Sequence, residues 1–172
     1  MSSNSFKRID RFFKAKSVVF IGGKDLFVPI RELKRRRFKG KIFVVNPKRP
    51  KIDNYKCLRK VSDLPLSPDA AFIAVPASEV ISTVRELKAC KCKGIVCYSA
   101  GFKETGKTGK YLEDTLIKEC GDIPLIGPNC YGFINFSDNV ALWPFPHKGA
   151  RCNKGIALIT QSGMLSSDII MA

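Results

Sequence analysis

The stretch Lys41-Ile42-Phe43-Val44-Val45-Asn46-Pro47-Lys48 decides the fold that this sequence predicts. Its first five residues form a strand with a continuous apolar centre, which is typical of a strand buried on both faces of a parallel sheet. Polar residues and a proline follow at once, so the strand ends in a loop that presents polar groups at one edge. The same pattern of an apolar run closed by small or polar residues recurs along the chain.

Apolar runs of this kind alternate with segments of helical periodicity. Strands are predicted over residues 17–21, 41–45, 70–75, 94–98 and 123–126. Helices are predicted over residues 29–37, 77–90 and 110–120, the last with Tyr111, Leu112, Leu116 and Ile117 facing inward. This strict alternation predicts an α/β fold, namely a Rossmann-like doubly wound parallel sheet.

The chain has 172 residues, which is room for one full domain and the start of another. We expect a Rossmann-like domain over residues 1–135 and a linker containing Pro144, Pro146 and Gly149 over residues 136–153. Residues 154–172 are interpreted as the start of an incomplete second α/β domain of the flavodoxin-like kind. It would hold a strand over residues 155–159, a turn at 161–164 and a helix running to Ala172.

The charge balance indicates an anionic ligand, because Lys and Arg number 30 against 15 Asp and Glu. Nucleic acid is not the expected partner, since no aromatic-basic interleaving accompanies the charge. A membrane is not expected either, because the start of the chain has no secretory signal and no run reaches transmembrane length.

Seven cysteines, an odd number without a CxxC pair, fit reduced thiols in a cytoplasmic protein. The triplet Cys90, Cys92 and Cys97 lacks a second pair of ligands, so no metal site is predicted.

Five strand ends carry the candidate site. Gly22, Gly23 and Lys24 stand where a nucleotide-binding fold places its phosphate loop, although the full GxGxxG pattern is absent. The second strand ends in Asn46, Pro47 and Lys48 instead of the acidic residue that binds a ribose hydroxyl. That exchange favours a ligand with an additional ribose phosphate, for which NADP and coenzyme A both qualify.

The other three strand ends add small and rigid groups. They are Val75-Pro76-Ala77, where the proline suits a flat wall, Ser99-Ala100-Gly101-Phe102, and Gly127-Pro128-Asn129-Cys130-Tyr131-Gly132. Near the end of the sequence, Gln161-Ser162-Gly163-Met164 is typical of a strand-to-helix turn whose N-terminus can bind phosphate.

These segments give the chain a family resemblance over nearly its whole length. It resembles the coenzyme A-binding domain of NDP-forming acyl-CoA synthetases, relatives of the succinyl-CoA synthetase α subunit. The resemblance rests on the five strand ends, on Phe38-Lys39-Gly40-Lys41-Ile42, and on Thr160-Gln161-Ser162-Gly163. Departures occur in the first loop, which is short and places Lys24, Phe27 and Pro29 where small residues are common.

The resemblance implies that coenzyme A lies across the carboxyl ends of the strands. Gly22, Gly23 and Lys24 would approach its phosphates, with Lys48, beside Asn46 and Pro47, at the diphosphate or 3′-phosphate. Val75 and Pro76 would face the adenine, and Ser99, Ala100, Gly101 and Phe102 the pantetheine arm. Pro128, Asn129 and Cys130 would lie at the thiol end, with Cys130 positional instead of nucleophilic. Ser162, Gly163 and Met164 would bind the phosphate of a phosphohistidine.

In the family an acid and a nucleoside triphosphate give an acyl phosphate, a histidine carries the phosphoryl group, and coenzyme A takes the acyl group. ATP and Mg would belong to an ATP-grasp domain or β subunit of the complete ligase. The sole histidine, His147, does not match the family's phosphorylated position, so it is interpreted as structural and no catalytic residue is assigned. The alternatives are a stand-alone regulatory protein that binds coenzyme A or acyl-CoA, and an NADP-linked oxidoreductase.

Overall fold

The computed structural model describes residues 3–171, which form a main sheet, a separate hairpin and flanking helices. The strands are β1 (Ser17–Gly22), β2 (Lys41–Val45), β3 (Lys51–Ile52), β4 (Tyr55–Leu58), β5 (Ala70–Ala74), β6 (Ile95–Cys97), β7 (Leu125–Ile126), β8 (Phe133–Asn135) and β9 (Val140–Leu142). The helices are α1 (Ser3–Phe13), α2 (Phe27–Arg35), α3 (Ala77–Ala89), α4 (Lys107–Cys120) and α5 (Gly163–Met171).

The main sheet has the strand order β3-β4-β2-β1-β5-β6-β7. Its strands pair in parallel, except that β3 pairs antiparallel with β4. The chain runs outward from β1 through β2 to β4 and then returns to β5 on the other side of β1. The order therefore reverses at β1, which is the switch point of a doubly wound sheet. The predicted fold class is confirmed.

The core lies on both faces of the sheet, as a continuous apolar strand requires. Val18 and Phe20 of β1 join the cluster that includes α1, α2 and β9. Val19 and Ile21 face the opposite side, where the cluster includes residues of α3 and α4. Burial of each such side chain contributes about 1.5–3 kcal/mol, so β1 anchors both layers.

Helix α4 packs through a narrower stripe than the sequence predicts. Leu112, Leu116 and Cys120 follow a four-residue spacing and lie half-buried or buried, whereas Tyr111 and Ile117 are exposed. The prediction that these last two face inward is therefore wrong. Each stands one position away from the stripe, and 100° of helical rotation per residue turns both toward solvent.

Two hairpins were not predicted from the sequence. β3 and β4 turn at Asp53, which has a φ of +50°, and extend the sheet beyond β2. β8 and β9 form the second hairpin. The three residues of β9 are fully buried, and Val140 and Leu142 join the core cluster with α1 and α2. Part of the expected linker over residues 136–153 therefore packs against α1 and α2.

The strand expected over residues 155–159 is not formed, which corrects that prediction. A strand needs a neighbour for its N–H and C=O groups, and within residues 3–171 none pairs with this segment. Ile156 and Ile159 are accordingly exposed. The helix that follows does form, as α5, although its predicted last residue, Ala172, lies outside the described residues. The division into a first domain, a linker and a second domain stays a prediction.

Asp69 ties α1 and β1 to the start of β5. Its carboxylate accepts hydrogen bonds from Arg11 at 2.7 Å, from the Lys16 backbone N–H at 3.0 Å and from the Ser17 hydroxyl at 3.1 Å. The carboxylate is almost fully buried. Its removal would leave the Lys16 N–H and the Ser17 hydroxyl, in addition to Arg11, without this acceptor.

We expect Asp69→Ala to lower the free energy of unfolding by about 2–4 kcal/mol, as measured by urea denaturation. Asp122→Ala is the matched control, because Asp122 is exposed and stands 3.8 Å from Arg8. Its effect should stay within about 0.5 kcal/mol. Equal losses in the two variants would contradict the role given to Asp69.

Candidate functional site

The carboxyl ends of β1, β2, β5, β6 and β7 meet at one edge of the sheet, which we call the carboxyl rim. Five loops form it, at residues 22–25, 46–49, 75–77, 98–102 and 127–132. All the segments predicted from the strand ends thus lie on one edge. Parallel pairing is the reason, since it points every strand the same way.

The first loop is built on a close backbone contact. Gly22 has a φ of +153°, and a Cβ there would stand 2.4 Å from the Ala74 carbonyl oxygen of β5. Gly23 is half-buried, and Lys24 is exposed at the start of a single 3-10 turn that leads into α2. A glycine backbone and a helix start are suited to an anion, with Lys24 beside them.

Asn46 fastens the second loop to the first. Its side-chain N–H donates to the Gly22 carbonyl at 2.6 Å, and its Oδ1 accepts the N–H groups of Lys48 at 2.8 Å and Arg49 at 2.7 Å. The amide is therefore committed to the fold of the loop. Pro47 and the side chains of Lys48 and Arg49 are left exposed on the rim.

Ser99 links the next two loops. Its hydroxyl donates to the Val75 carbonyl at 2.6 Å, and its own carbonyl accepts the Asn129 N–H at 3.0 Å. Pro76 and Ala100 beside it are exposed, and Gly101 is half-buried. Ser99 itself is buried, so it positions the loops and leaves the contact surface to its neighbours.

Phe102 does not lie on the surface of the rim. Its ring is fully buried in the core cluster on the α3 and α4 side of the sheet. The sequence placed Phe102 with the residues that face a ligand, but its side chain supports the loop from below.

The last loop begins at Gly127, whose φ is +109° and whose Cβ would stand 2.4 Å from the Cys97 carbonyl oxygen. A cis Gly127–Pro128 bond follows, and then Asn129 with a φ of +52° and an exposed side chain. Cys130 is half-buried. The loop therefore presents an amide and a thiol at the end of the rim.

The cysteine beneath this loop is not a nucleophile. Burial raises the pKa of Cys97 to about 12, so its thiol stays protonated at neutral pH. The described residues contain no group of three or more His, Cys, Asp or Glu side chains arranged to hold a metal ion.

The turn before α5 lies against this same loop. A Cβ on Gly163 would stand 2.6 Å from the Tyr131 ring. Ser162 caps the helix, since its hydroxyl accepts the Leu165 N–H at 3.3 Å, and Met164 is exposed. The structure thus brings the start of α5 to the Asn129 end of the carboxyl rim.

His147 lies away from the rim, packed against α2. Its side chain is fully buried, with Nε2 3.6 Å from Glu32 Oε2, and its carbonyl accepts a hydrogen bond from Arg35. Its ring makes an edge contact with Phe136. These contacts fit the structural role expected for the sole histidine.

The comparisons with known proteins agree with this geometry. The coenzyme A-binding domain family matches residues 27–135, which contain four of the five loops of the carboxyl rim. Trans-feruloyl-CoA synthase FCS1, from an unknown prokaryotic organism, is 35% identical over 98% of this chain and 25% of that protein. Acetate--CoA ligase [ADP-forming] II of Archaeoglobus fulgidus is 37% identical over 88% of this chain and 24% of that protein.

Solved structures show the same fold. The crystal structure of PH0766 from Pyrococcus horikoshii OT3 has a TM-score of 0.84 and 32% identity, covering 94% of this chain and 38% of that one. The dinucleotide forming acetyl-coenzyme A synthetase 1 of Ca. Korarchaeum cryptofilum, in complex with phosphate and ADP, has a TM-score of 0.79 and 26% identity. It is covered over 36% of its length, so this chain spans a minor part of the relatives it matches.

The fold and the rim define a doubly wound α/β domain of the class that binds nucleotide-like coenzymes. Within that class, the chain belongs to the coenzyme A-binding domain family, homologous to the α part of ADP-forming acyl-CoA ligases. The described residues include no helix long and apolar enough to cross a membrane.

We expect Asn46→Ala to accelerate amide hydrogen exchange at Lys48 and Arg49 by about tenfold or more, because both N–H groups lose their acceptor. Exchange followed by NMR is the measurement. Asn46→Asp separates the two roles of the side chain, since its carboxylate can still accept both bonds but cannot donate to the Gly22 carbonyl. It should keep more of the protection than Asn46→Ala. Identical exchange in both variants and the parent would contradict this account of the loop.

The buried imidazole predicts a pH dependence of stability. Burial lowers the pKa of His147, and the Lys148 carbonyl and Glu32 carboxylate only partly offset it. The folded pKa lies below the unfolded value of about 6.5. The contribution of the neutral His147 to stability is therefore fully present above that pH and is lost as the pH falls from the unfolded pKa to the folded pKa.

We expect the parent protein to lose about 1.4 kcal/mol of unfolding free energy for each unit by which the pKa is lowered. Urea denaturation at pH values above and below the unfolded pKa measures this loss. In His147→Gln most of the difference between the two pH values should vanish. A difference of the same size in this variant would assign the pH dependence to other groups.

Proposed function

We propose that this chain is the coenzyme A-binding module of an NDP-forming acyl-CoA synthetase. That enzyme is an acid-thiol ligase that makes acyl-CoA from an acid, coenzyme A and ATP, through an acyl phosphate and a phosphohistidine. The observation that carries the proposal is the family match over residues 27–135, which contain four of the five loops of the carboxyl rim. The names of the ligases among its relatives support the activity of the whole protein.

We assign the ends of coenzyme A along the rim by their chemistry. Lys24 of the first loop and Lys48 of the second are exposed cations and would face the phosphates, with Gly22 and Gly23 offering backbone N–H groups. Val75 and Pro76 would face the adenine. The first loop lies outside the matched residues, so the Lys48 assignment has the stronger support.

The remaining loops would bind the pantetheine arm. Ala100 and Gly101 are the accessible small residues, whereas Ser99 holds the loop through its hydrogen bond to Val75. Asn129 would reach the thiol end, with Pro128 and Cys130 shaping the loop. Phe102 acts from the core.

The start of α5 would bind phosphate. Its contact with Tyr131 sets Ser162, Gly163 and Met164 beside the proposed thiol end. A phosphoryl group held at this helix N-terminus, as an acyl phosphate or a phosphohistidine, would therefore stand near the thiol end. The coenzyme A sulfur would attack the acyl carbon of the acyl phosphate and release phosphate. This is where the thioester would form in the complete ligase.

Other parts of the ligase would supply the rest of the reaction. His147 is enclosed by α2 and Phe136, so we do not assign it the phosphoryl transfer. The phosphohistidine, ATP and Mg belong in this proposal to an ATP-grasp domain or β subunit and to a complete second domain. The chain alone would bind coenzyme A without turnover. Seven free thiols support a location in the cytoplasm.

Isothermal titration of the chain with coenzyme A, 3′-dephospho-coenzyme A and NADP tests the proposal. We expect coenzyme A to bind at least about tenfold more tightly than 3′-dephospho-coenzyme A, because Lys48 contributes one charge-assisted contact to the additional phosphate. Coenzyme A should also bind more tightly than NADP, because NADP has no pantetheine arm to lie along the remaining loops. Preference for NADP would favour an oxidoreductase. Absence of binding by all three ligands would contradict the assignment of the rim.

We expect Lys48→Glu to weaken coenzyme A binding by about tenfold or more, since it replaces an attraction with a repulsion at the phosphates. Lys56→Glu is the matched control, because Lys56 is exposed on β4 and lies outside the rim. Unchanged affinity in Lys48→Glu, or an equal loss in both variants, would remove Lys48 from the site.

A regulatory protein that only senses coenzyme A predicts the same titrations, so a second assay is needed. The chain is joined to the remaining parts of a relative's ligase, and thioester formation is measured with acid, ATP and coenzyme A. Turnover that depends on Lys48 would favour the ligase module. Tight coenzyme A binding without turnover would favour the sensor.

A further inference from the structure

The opposite edge of the sheet carries a second feature, unrelated to the carboxyl rim. A cavity of about 670 Å³ opens where β1 and β2 begin, and another of about 520 Å³ opens where β6 and β7 begin. Helix α1 contributes to both, through Arg11 and Arg8 respectively. We call this edge the amino edge.

The amino edge is strongly basic. The larger cavity is lined by the cations Arg11, Lys14, Lys16, Lys39 and Lys41, with Asp138 as the lining carboxylate. Four more cations and one carboxylate, Asp122, line the smaller cavity.

Ordinary structural roles account for some of these charges. Arg11 pairs with Asp69 at 2.7 Å, and Lys14 pairs with Asp10 at 2.7 Å. Lys88 donates to the Glu119 carbonyl at the end of α4, as cations near a helix C-terminus commonly do.

Three lysines of the larger cavity are not explained in this way. Lys16 and Lys39 come just before strands and Lys41 is the first residue of β2, and all three lie beyond the last turns of α1 and α2. Within residues 3–171, none of the three forms a salt bridge. The backbone groups of Lys16 and Lys41 join the strands, but all three side chains are exposed. Such a cluster repels itself and favours an anionic partner.

The lining between the lysines is apolar. Ala15 is buried, and Phe38 and Leu66 are half-buried. Aromatic platforms for single-stranded nucleic acid stack bases on accessible rings, whereas Phe38 presents only part of its ring. A polypeptide segment that carries carboxylates and an aliphatic side chain matches both the lysines and the apolar residues that lie between them.

We propose that the larger cavity of the amino edge docks an acidic polypeptide segment of a partner protein. Carboxylates of the segment pair with Lys16, Lys39 and Lys41, and an aliphatic side chain enters between Phe38 and Leu66. This surface is separate from the carboxyl rim, so a partner bound there leaves the coenzyme site open.

Fluorescence anisotropy with a labelled peptide of about a dozen residues, rich in Glu with two Leu, tests the proposal at low salt. The triple variant Lys16→Glu, Lys39→Glu, Lys41→Glu should bind the peptide at least about tenfold more weakly. The control triple Lys51→Glu, Lys56→Glu, Lys107→Glu has the same net charge and alters exposed lysines elsewhere. Its loss should stay below about threefold.

If charge reversal prevents folding, the triple variant Lys16→Gln, Lys39→Gln, Lys41→Gln takes its place. Circular dichroism confirms the fold of each variant. An all-Glu peptide should bind the parent more weakly than the Leu-containing one, because it has no aliphatic side chain to pack between Phe38 and Leu66. Equal losses in the two Glu triples, or no peptide binding, would overturn the proposal. Tighter binding of a single-stranded oligothymidine through the same lysines would assign the surface to nucleic acid and overturn it as well.

Discussion

The contact between the ends of β1 and β5, where Gly22 meets the Ala74 carbonyl, is the constraint on which the carboxyl rim depends. A Cβ at Gly22 would stand 2.4 Å from that oxygen, so the two strands remain parallel to their last residues because position 22 lacks a side chain. Gly127 repeats the arrangement against the Cys97 carbonyl. These approaches let the loops that follow lie side by side on one edge.

Hydrogen bonds then join those loops into a continuous surface. Asn46 holds the first two loops together, and Ser99 holds the next two and the loop at Asn129. The sequence suggests that both polar side chains bind the ligand, but their hydrogen bonds are already used to hold the loops together. The groups left for a ligand are the exposed ones, chiefly Lys24, Lys48 and the Asn129 amide. Rigid loops with a few free polar groups are suited to an extended coenzyme.

The excess of positive charge is divided between the two edges of the sheet. Lys24 and Lys48 stand on the carboxyl rim, where the family match supports an anionic coenzyme. The larger cavity of the amino edge has five cations among its lining residues, and they lie at the edge of the sheet opposite the carboxyl rim. In our proposals the basic net charge therefore comes from two separate surfaces, each of which binds a different partner.

The α/β class and the segments of the rim could be predicted from the sequence alone, because strand periodicity and the residues that close each strand are local properties. The tertiary structure was needed to show that Phe102 lies in the core, that Tyr111 faces solvent, and that β9 packs with α1 and α2. It also decided that residues 155–159 form no strand, since pairing depends on a neighbour that the apolar pattern cannot supply. The basic amino edge was not predicted from the sequence, for a related reason. Its lysines come from separate strand starts, and they meet only because parallel strands begin at the same edge.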